Sequence, residues 1–264
     1  MTKPLTPAAR ASLSDATTAV PVPATVPPET PPQRRTLMRK YEVLYARPNG
    51  DIDDFTKVAP ATPAFEDAFA AFARGTLIAT ERGPVAIEDL LPGDEVKTVD
   101  DGYQPLLWRG CTSIVPKARG QAEHMGRLTR IAADALGIAR PMPDLVLGPR
   151  ARLYHRSQAI QRYTRGDGAF VPAREMVDGC NIIELTPMSA VPVYHLGFAA
   201  HHRIVACGVE LESHHPGTLH EIGLRGETLE LYLSLFPHVE EFADFGPLRY
   251  ARLRMSDLQM MGVA

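Results

Sequence analysis

The chain has 264 residues, of which 45% are hydrophobic and 22% charged, so it is long enough to build one or two buried cores. Its formal net charge of −3 argues against nucleic acid as a partner, because phosphate backbones attract basic surfaces. No apolar run approaches the roughly 20 residues that span a bilayer, and the N-terminus lacks a signal-peptide pattern. We therefore expect a cytoplasmic protein without a membrane span, with export by a signal-less route left open.

The three cysteines do not suggest a disulfide framework or a metal knuckle. Cys111, Cys180 and Cys207 are widely spaced, odd in number and without a C-x-x-C pair. The sequence also lacks the Gly-rich motifs that cradle phosphates or dinucleotides. It therefore predicts reduced thiols and no cofactor.

The first 63 residues are predicted to form a largely disordered, Pro-rich arm. Residues 1–35 contain eight prolines, which oppose both helix continuation and strand pairing. Within the arm, the alternating pattern of residues 39–45 suggests one short strand. Phe65, Phe69 and Phe72 then recur at helical spacing and predict a helix over residues 64–72.

From Gly75 to about His215, the pattern predicts a compact all-β domain. Short apolar or alternating runs, such as residues 76–80 and 95–99, are separated by turn residues such as Gly83-Pro84. Many short strands with frequent turns are typical of all-β folds.

After Pro216, apolar residues at helical spacing predict a helical C-terminal extension over residues 216–264. Leu229, Leu233 and Phe236 would share one helical face, and a second face would hold Leu248, Ala251, Met255 and Leu258.

Three blocks of the β region resemble Hint domains, the fold of hedgehog autoprocessing modules and inteins. Residues 71–108, which begin AFARGTLIATERGPVAIEDLLPGDEV, resemble the opening block, in which a nucleophilic Cys precedes a G-T-x-I strand. Residues 144–154 (DLVLGPRARLY) resemble the central strand that carries T-x-x-H, and residues 193–213 (VYHLGFAAHHRIVACGVELES) resemble the closing block. The blocks are most similar to a bacterial subgroup that closes with Glu-Ser. The resemblance implies a Hint-type all-β fold over residues 64–215.

The resemblance also implies that the positions of the self-cleavage chemistry are vacated. Ala71 stands at the nucleophile position, and Gly148 and Ala151 stand at the Thr and His positions of the central block. Glu212 and Ser213 replace the closing His-Asn of inteins. A methyl group cannot attack a carbonyl, and a serine has no side-chain amide that could cyclise. Self-cleavage by the family's route is therefore predicted to be lost.

Three polar candidates remain in the closing block. His202 matches a family histidine, His195 replaces an acidic residue, and Cys207 is a conceivable displaced nucleophile. The apolar neighbours of Cys207 favour an inert buried thiol, and a histidine bound to a backbone carbonyl is the simpler interpretation of His202. Residues 195–220 are rich in histidine, but no H-x-H or HExxH spacing predicts a metal site.

The leading hypothesis is a Hint-domain protein that has lost autoprocessing and serves as a non-catalytic binding or scaffold module. We expect no enzymatic activity, and the partner would be an unidentified protein. One alternative is residual self-cleaving or hydrolytic activity that uses Cys207 or Ser213 with His202. A second alternative is a His-rich metal-binding module. The oligomeric state stays open.

Overall fold

The computed structural model describes residues 36–164, 166–260 and 262. The Pro-rich segment 1–35, and the disordered arm predicted for it, lie outside these residues. The strands are, in chain order, β1 (Met38–Ala46), β2 (Ile52–Pro60), β3 (Phe72–Ala73), β4 (Leu77–Thr80), β5 (Gly83–Ala86), β6 (Glu95–Lys97), β7 (Tyr103–Pro105), β8 (Trp108–Ile114), β9 (Leu128–Ile131), β10 (Leu145–Leu147), β11 (Arg152–Arg156), β12 (Gly168–Pro172), β13 (Ile182–Leu185), β14 (Val191–Gly197), β15 (Arg203–Ala206) and β16 (Val209–Glu212).

The helices are short and lie mostly outside the sheets. They are α1 (Pro63–Asp67), α2 (Gln158–Tyr163), α3 (Leu219–Ile222), α4 (Gly226–Leu233) and α5 (Met255–Met260). Single 3₁₀ turns occur at Ile87–Asp89, Glu123–Gly126, Ala173–Met176 and Phe242–Phe245. In the described part of the chain, no helix is long and apolar enough to cross a membrane.

The strands form two antiparallel sheets. The first has the order β13-β9-β10-β3-β14-β8-β1-β2, and the second has the order β12-β11-β16-β15-β4-β6-β7, with β5 paired to β4. Strands that are distant in sequence are neighbours in both sheets, as β14 and β8 are in the first. The predicted all-β fold with a short helical C-terminal extension is confirmed.

The predicted end of the disordered arm at residue 63 does not match the structure. Strands β1 and β2 lie before that residue and form a hairpin, and β1 also pairs with β8 of the first sheet. Tyr41 and Val43 on β1 are buried, which explains the alternation seen in the sequence. The second strand was missed because β2 is an edge strand whose side chains are mostly polar or exposed. We call residues 36–70 the lead-in.

The helix predicted over residues 64–72 is shorter in the structure than the sequence pattern indicates. It ends at Asp67, and Phe72 instead lies on β3, where it pairs with Leu147 and Tyr194. Phe65 and Phe69 face one hydrophobic cluster while Phe72 faces another. Strand pairing therefore overrides the helical spacing at the end of this segment.

The C-terminal extension is helical only in part. Residues 248–254 are not helical, because the chain there runs beside β12. The Phe170 amide donates to the Ala251 carbonyl over 2.8 Å, and the Leu253 amide donates to the Phe170 carbonyl over 2.9 Å. Of the second predicted helical face, Met255 and Leu258 lie on α5, and Leu258 is buried.

Two main hydrophobic clusters hold the fold together. The larger one fills the space between the sheets. The second joins the lead-in to the C-terminal extension around Trp108, whose indole nitrogen donates to the Leu235 carbonyl over 2.8 Å. Its buried members are Tyr41, Val43, Ala59, Phe65, Ala68, Phe69, Trp108, Tyr232, Leu235, Phe236, Val239 and Phe245. Both flanks of the β domain are thus packed on each other. We call this second group the flank cluster.

Candidate functional site

The peptide between Ala70 and Ala71 is enclosed by main-chain hydrogen bonds. The Ala71 amide donates to the Tyr194 carbonyl over 3.1 Å. The Ala71 carbonyl accepts from the Gly148 amide over 2.8 Å, and the Ala70 carbonyl accepts from the Arg150 amide over 2.9 Å. A nucleophile at position 71 would attack the Ala70 carbonyl, and this carbonyl is held in place by the Arg150 amide.

Gly148 lies so close to this peptide that no side chain fits there. A Cβ atom at residue 148 would lie 2.8 Å from the Ala70 carbonyl carbon and closer still to its oxygen. It would also lie 3.2 Å from the Ala71 carbonyl carbon. Backbone therefore occupies the space that a threonine at this position would need, and the close approach explains the glycine.

Ala71 and Ala151 place their methyl groups in the larger core cluster, and each residue is 2% exposed. The Ala151 amide donates to the Gly148 carbonyl over 3.2 Å. The structure thus brings residues 71, 148 and 151 together, but they present only methyl groups and paired backbone. Such groups supply neither a nucleophile nor a proton donor for acyl transfer.

Glu212 is buried at the end of β16, and its carboxylate is fully engaged. One oxygen accepts from the Arg252 Nε over 2.8 Å and from the His201 Nε2 over 2.9 Å. The other oxygen accepts from an Arg152 nitrogen over 3.0 Å. Burial raises the pKa of the Glu212 carboxyl, but the Arg252 and Arg152 charges and the His201 hydrogen bond outweigh burial and hold that pKa well below its usual value. Glu212 is therefore a structural anion, and none of its hydrogen bonds with described residues involves His202.

His202 and Ser213 are neighbours, but they meet through the backbone. The Ser213 hydroxyl oxygen accepts from the His202 amide over 2.9 Å, and Ser213 has no exposed surface. The His202 Nδ1 atom lies 3.1 Å from an Asp101 carboxylate oxygen without hydrogen-bond geometry. Burial lowers the pKa of His202, and the Asp101 charge opposes that effect. Ser213 and His202 thus lack the hydroxyl-to-imidazole contact that activates a serine nucleophile.

Cys207 lies in the turn between β15 and β16, at a positive φ of 47°, followed by Gly208 at 79°. Two positive φ angles are typical of a tight hairpin turn. His202 precedes the same strand, so the two residues are separated by about 16 Å at some 3.3 Å per residue. Burial raises the pKa of the Cys207 thiol, and its sulfur points to the Leu77 carbonyl. The structure does not bring Cys207 and His202 together.

His195, His214 and His215 form buried structural contacts. His195 is 2% exposed, and its Nδ1 accepts from the Leu196 amide over 3.1 Å. Burial is the main cause that lowers the pKa of His195 to about 3, so the ring is neutral. His214 stacks on Phe236, and the His215 Nε2 donates to the Gly246 carbonyl over 3.1 Å. In the described part of the chain, no three His, Cys, Asp or Glu side chains converge as metal ligands.

Comparison with known proteins places this geometry in a family. The family model described as "Hint domain" matches residues 70–218, which is more than half of the chain. The chain belongs to the Hint domain family. Its β body is similar to the solution structure of a bacterial intein-like domain from Clostridium thermocellum, with 16% identity and a TM-score of 0.38 over 55% of this chain and 99% of that chain. No curated protein matches.

The Hint domain also carries two partly buried arginines that the local sequence patterns did not single out. Arg150 and Arg152 flank Ala151, so alternation turns their side chains away from the core that holds its methyl group. Arg150 pairs with Glu66 over 3.1 Å, and Arg152 pairs with Asp67 over 3.1 Å. The alternating R-A-R pattern was the available signal, but the acidic partners Glu66 and Asp67 precede the residues that the family model matches.

Proposed function

We propose that this Hint-domain protein does not process itself and acts as a non-catalytic binding module. One observation supports the proposal: Ala71 and Ala151, which the family resemblance places at the nucleophile and proton-donor positions, put their methyl groups in the core.

The scaffold role follows from how the flanks are attached. The lead-in contributes a strand to the first sheet and the C-terminal extension packs on the flank cluster, so both flanks are held on the β domain. Such an assembly favours a permanent surface for a partner. The domain limits of residues 64–215 and the cytoplasmic location stay predictions from the sequence.

The test is the intact mass of the full-length protein under denaturing conditions, followed over days at neutral pH with and without a thiol and hydroxylamine. We expect an unchanged mass, because no group at position 71 can form the ester intermediate. Fragments from one defined peptide bond, lost in a His202→Ala variant, would overturn the proposal in favour of residual self-cleavage.

A paired variant tests the assignment of the vacated positions. Ala71→Cys with Ala151→His restores both groups, and Ala73→Cys with Ala151→His is the matched control, because residue 73 is also buried on β3. Cleavage at the 70–71 bond in the first variant alone would assign these positions to the chemistry. Equal behaviour of the two folded variants would count against that assignment.

A further inference from the structure

A pocket with a volume of about 410 Å³ lies where the lead-in, the Hint domain and the C-terminal extension meet. Its wall includes α1, the turn before β11, the 3₁₀ turn Ala173–Met176 and parts of the extension. Five arginines line it, namely Arg150, Arg152, Arg174, Arg252 and Arg254. Ala151 faces the core between two of them, so the pocket lies on the opposite side of this segment from the vacated positions.

Three of the five arginines are paired with carboxylates. Arg150 and Arg152 share Asp67 on α1, and Arg152 and Arg252 share Glu212 on β16. These ion pairs fix the guanidinium groups in place and make one side of the pocket rigid. A rigid wall of this kind lowers the entropic cost of holding a ligand.

The other two arginines have no hydrogen-bonded carboxylate partner among the described residues. Arg174 donates to the Pro149 carbonyl over 3.0 Å, but its closest carboxylate oxygen, on Glu175, is 3.7 Å away and too far for a hydrogen bond. The Arg254 side chain is exposed and makes no hydrogen bond or ion pair with any residue that the structure describes. Burial and then the nearby Arg150 charge lower the pKa of Arg174, and these effects outweigh the opposing charges of Glu175 and Asp67.

The acidic residues of the wall are already engaged. Glu221 accepts from the Thr218 amide over 2.7 Å in the N-terminal cap of α3, and Glu175 accepts from the Met255 amide over 2.9 Å. Neither carboxylate forms a hydrogen-bonded pair with Arg174 or Arg254. The pocket therefore keeps two guanidinium groups available to a ligand.

We propose that this pocket binds a small oxyanion, a phosphate or a carboxylate compound, through Arg174 and Arg254. Guanidinium groups form paired, charge-assisted hydrogen bonds with both kinds of oxyanion. The volume is in the range of pockets for small molecules, and Ile222 and Leu253 offer apolar contact to the remainder of an organic anion. The inference names a ligand class for the binding module proposed above, and it rests on that proposed function.

The experiment is calorimetric titration of the full-length protein with potassium phosphate and, separately, with succinate, at ionic strength matched by chloride. Saturable binding of phosphate would assign the site to phosphate compounds, and saturable binding of succinate would assign it to carboxylates. No saturable binding of either anion in the millimolar range would overturn the proposal.

Variants locate the binding. Arg174→Gln and Arg254→Gln should each raise the Kd about tenfold or more, since a hydrogen bond to a charged group is lost. Arg162→Gln, which removes an exposed arginine on α2 outside the pocket, is the matched control. Equal affinity in all three variants would contradict the proposal. Circular dichroism checks the fold of each variant. Because Arg254 is exposed, its substitution should leave the fold intact. The intact-mass assay is independent, so either proposal can fail alone.

Discussion

Glu212 joins three parts of the chain through a single carboxylate. Its partners are Arg152 in the central block, His201 before β15 and Arg252 in the C-terminal extension. Removing one member of a buried charge network leaves the others in a low-dielectric environment without compensation. The residue is therefore more important for stability than for any chemistry.

A Glu212→Gln substitution should lower the free energy of unfolding by about 3–5 kcal/mol, because two partly buried arginines lose their counter-charge. Urea unfolding monitored by Trp108 fluorescence measures the change. Glu123→Gln is the control, since its carboxylate also pairs with an arginine but is 81% exposed, and it should cost less than about 1 kcal/mol. A similar small loss in both variants would contradict this role of Glu212.

Local sequence blocks led to the candidate positions, whose role stays a prediction, but not to the network around them. Ala71, Gly148 and Ala151 were identified because each sits at a fixed place within a local block. The arginine partners of Glu212 were not, because they lie 60 and 40 residues away along the chain and only folding brings them together. A local pattern carries no signal for contacts of that separation.

At the level of elements, the hairpin β1–β2, helix α4 and the segment that follows it act as one layer over the Hint domain. Phe236 is central to that layer, because it contacts Trp108, Tyr232 and Phe245 with ring centroids 4.9 to 5.2 Å apart. Aromatic packing of this kind couples elements that are far apart in sequence.

A Phe236→Ala substitution should destabilise the protein by about 3–5 kcal/mol, as for other buried aromatic truncations. Hydrogen exchange should reveal faster opening of β1 together with α4, because both pack on the flank cluster. Leu219→Ala, in the same extension but 48% exposed, should cost less than about 1 kcal/mol. Loss of protection in α4 alone would show that the two flanks open independently.

Elements with strong alternation were predictable, and those set by neighbours were not. The alternation of buried and exposed positions in β1 is itself sufficient to indicate a strand. Strand β2 carries mostly polar residues at a sheet edge. Helix α1 ends early because the residues that follow it form β3, which pairs with β10 and β14. Pairing with distant strands decided both cases, and a single sequence does not specify it.

For the whole molecule, the buried histidines make stability depend on pH. Burial lowers the pKa of His195 to about 3 and the pKa values of His215 and His238 to about 4, whereas the usual pKa of a histidine is 6.5. Below about pH 6.5 these histidines bind protons in the unfolded chain but not in the folded chain. Stability is therefore complete above about pH 6.5 and is lost progressively as the pH falls toward 4.

Urea unfolding across this pH range should reveal a steady fall in the free energy of unfolding as the pH decreases. His238 should account for a loss of roughly 3 kcal/mol at pH 4. A His238→Gln variant should have a shallower slope, whatever its stability at neutral pH. His220→Gln, at an exposed position, should leave the slope unchanged. A flat profile between about pH 7 and pH 4 would contradict the neutral state of these rings.

The pairing of β1 with β8 and the flank cluster have a practical consequence for any search for cleavage. If the 70–71 bond were cut, the N-terminal fragment would still contribute strands to the first sheet and aromatic rings to the flank cluster. The nicked protein would keep its size and its shape in gel filtration, and its two pieces would separate only after denaturation. An apparently intact native particle would therefore say nothing about the continuity of its chain.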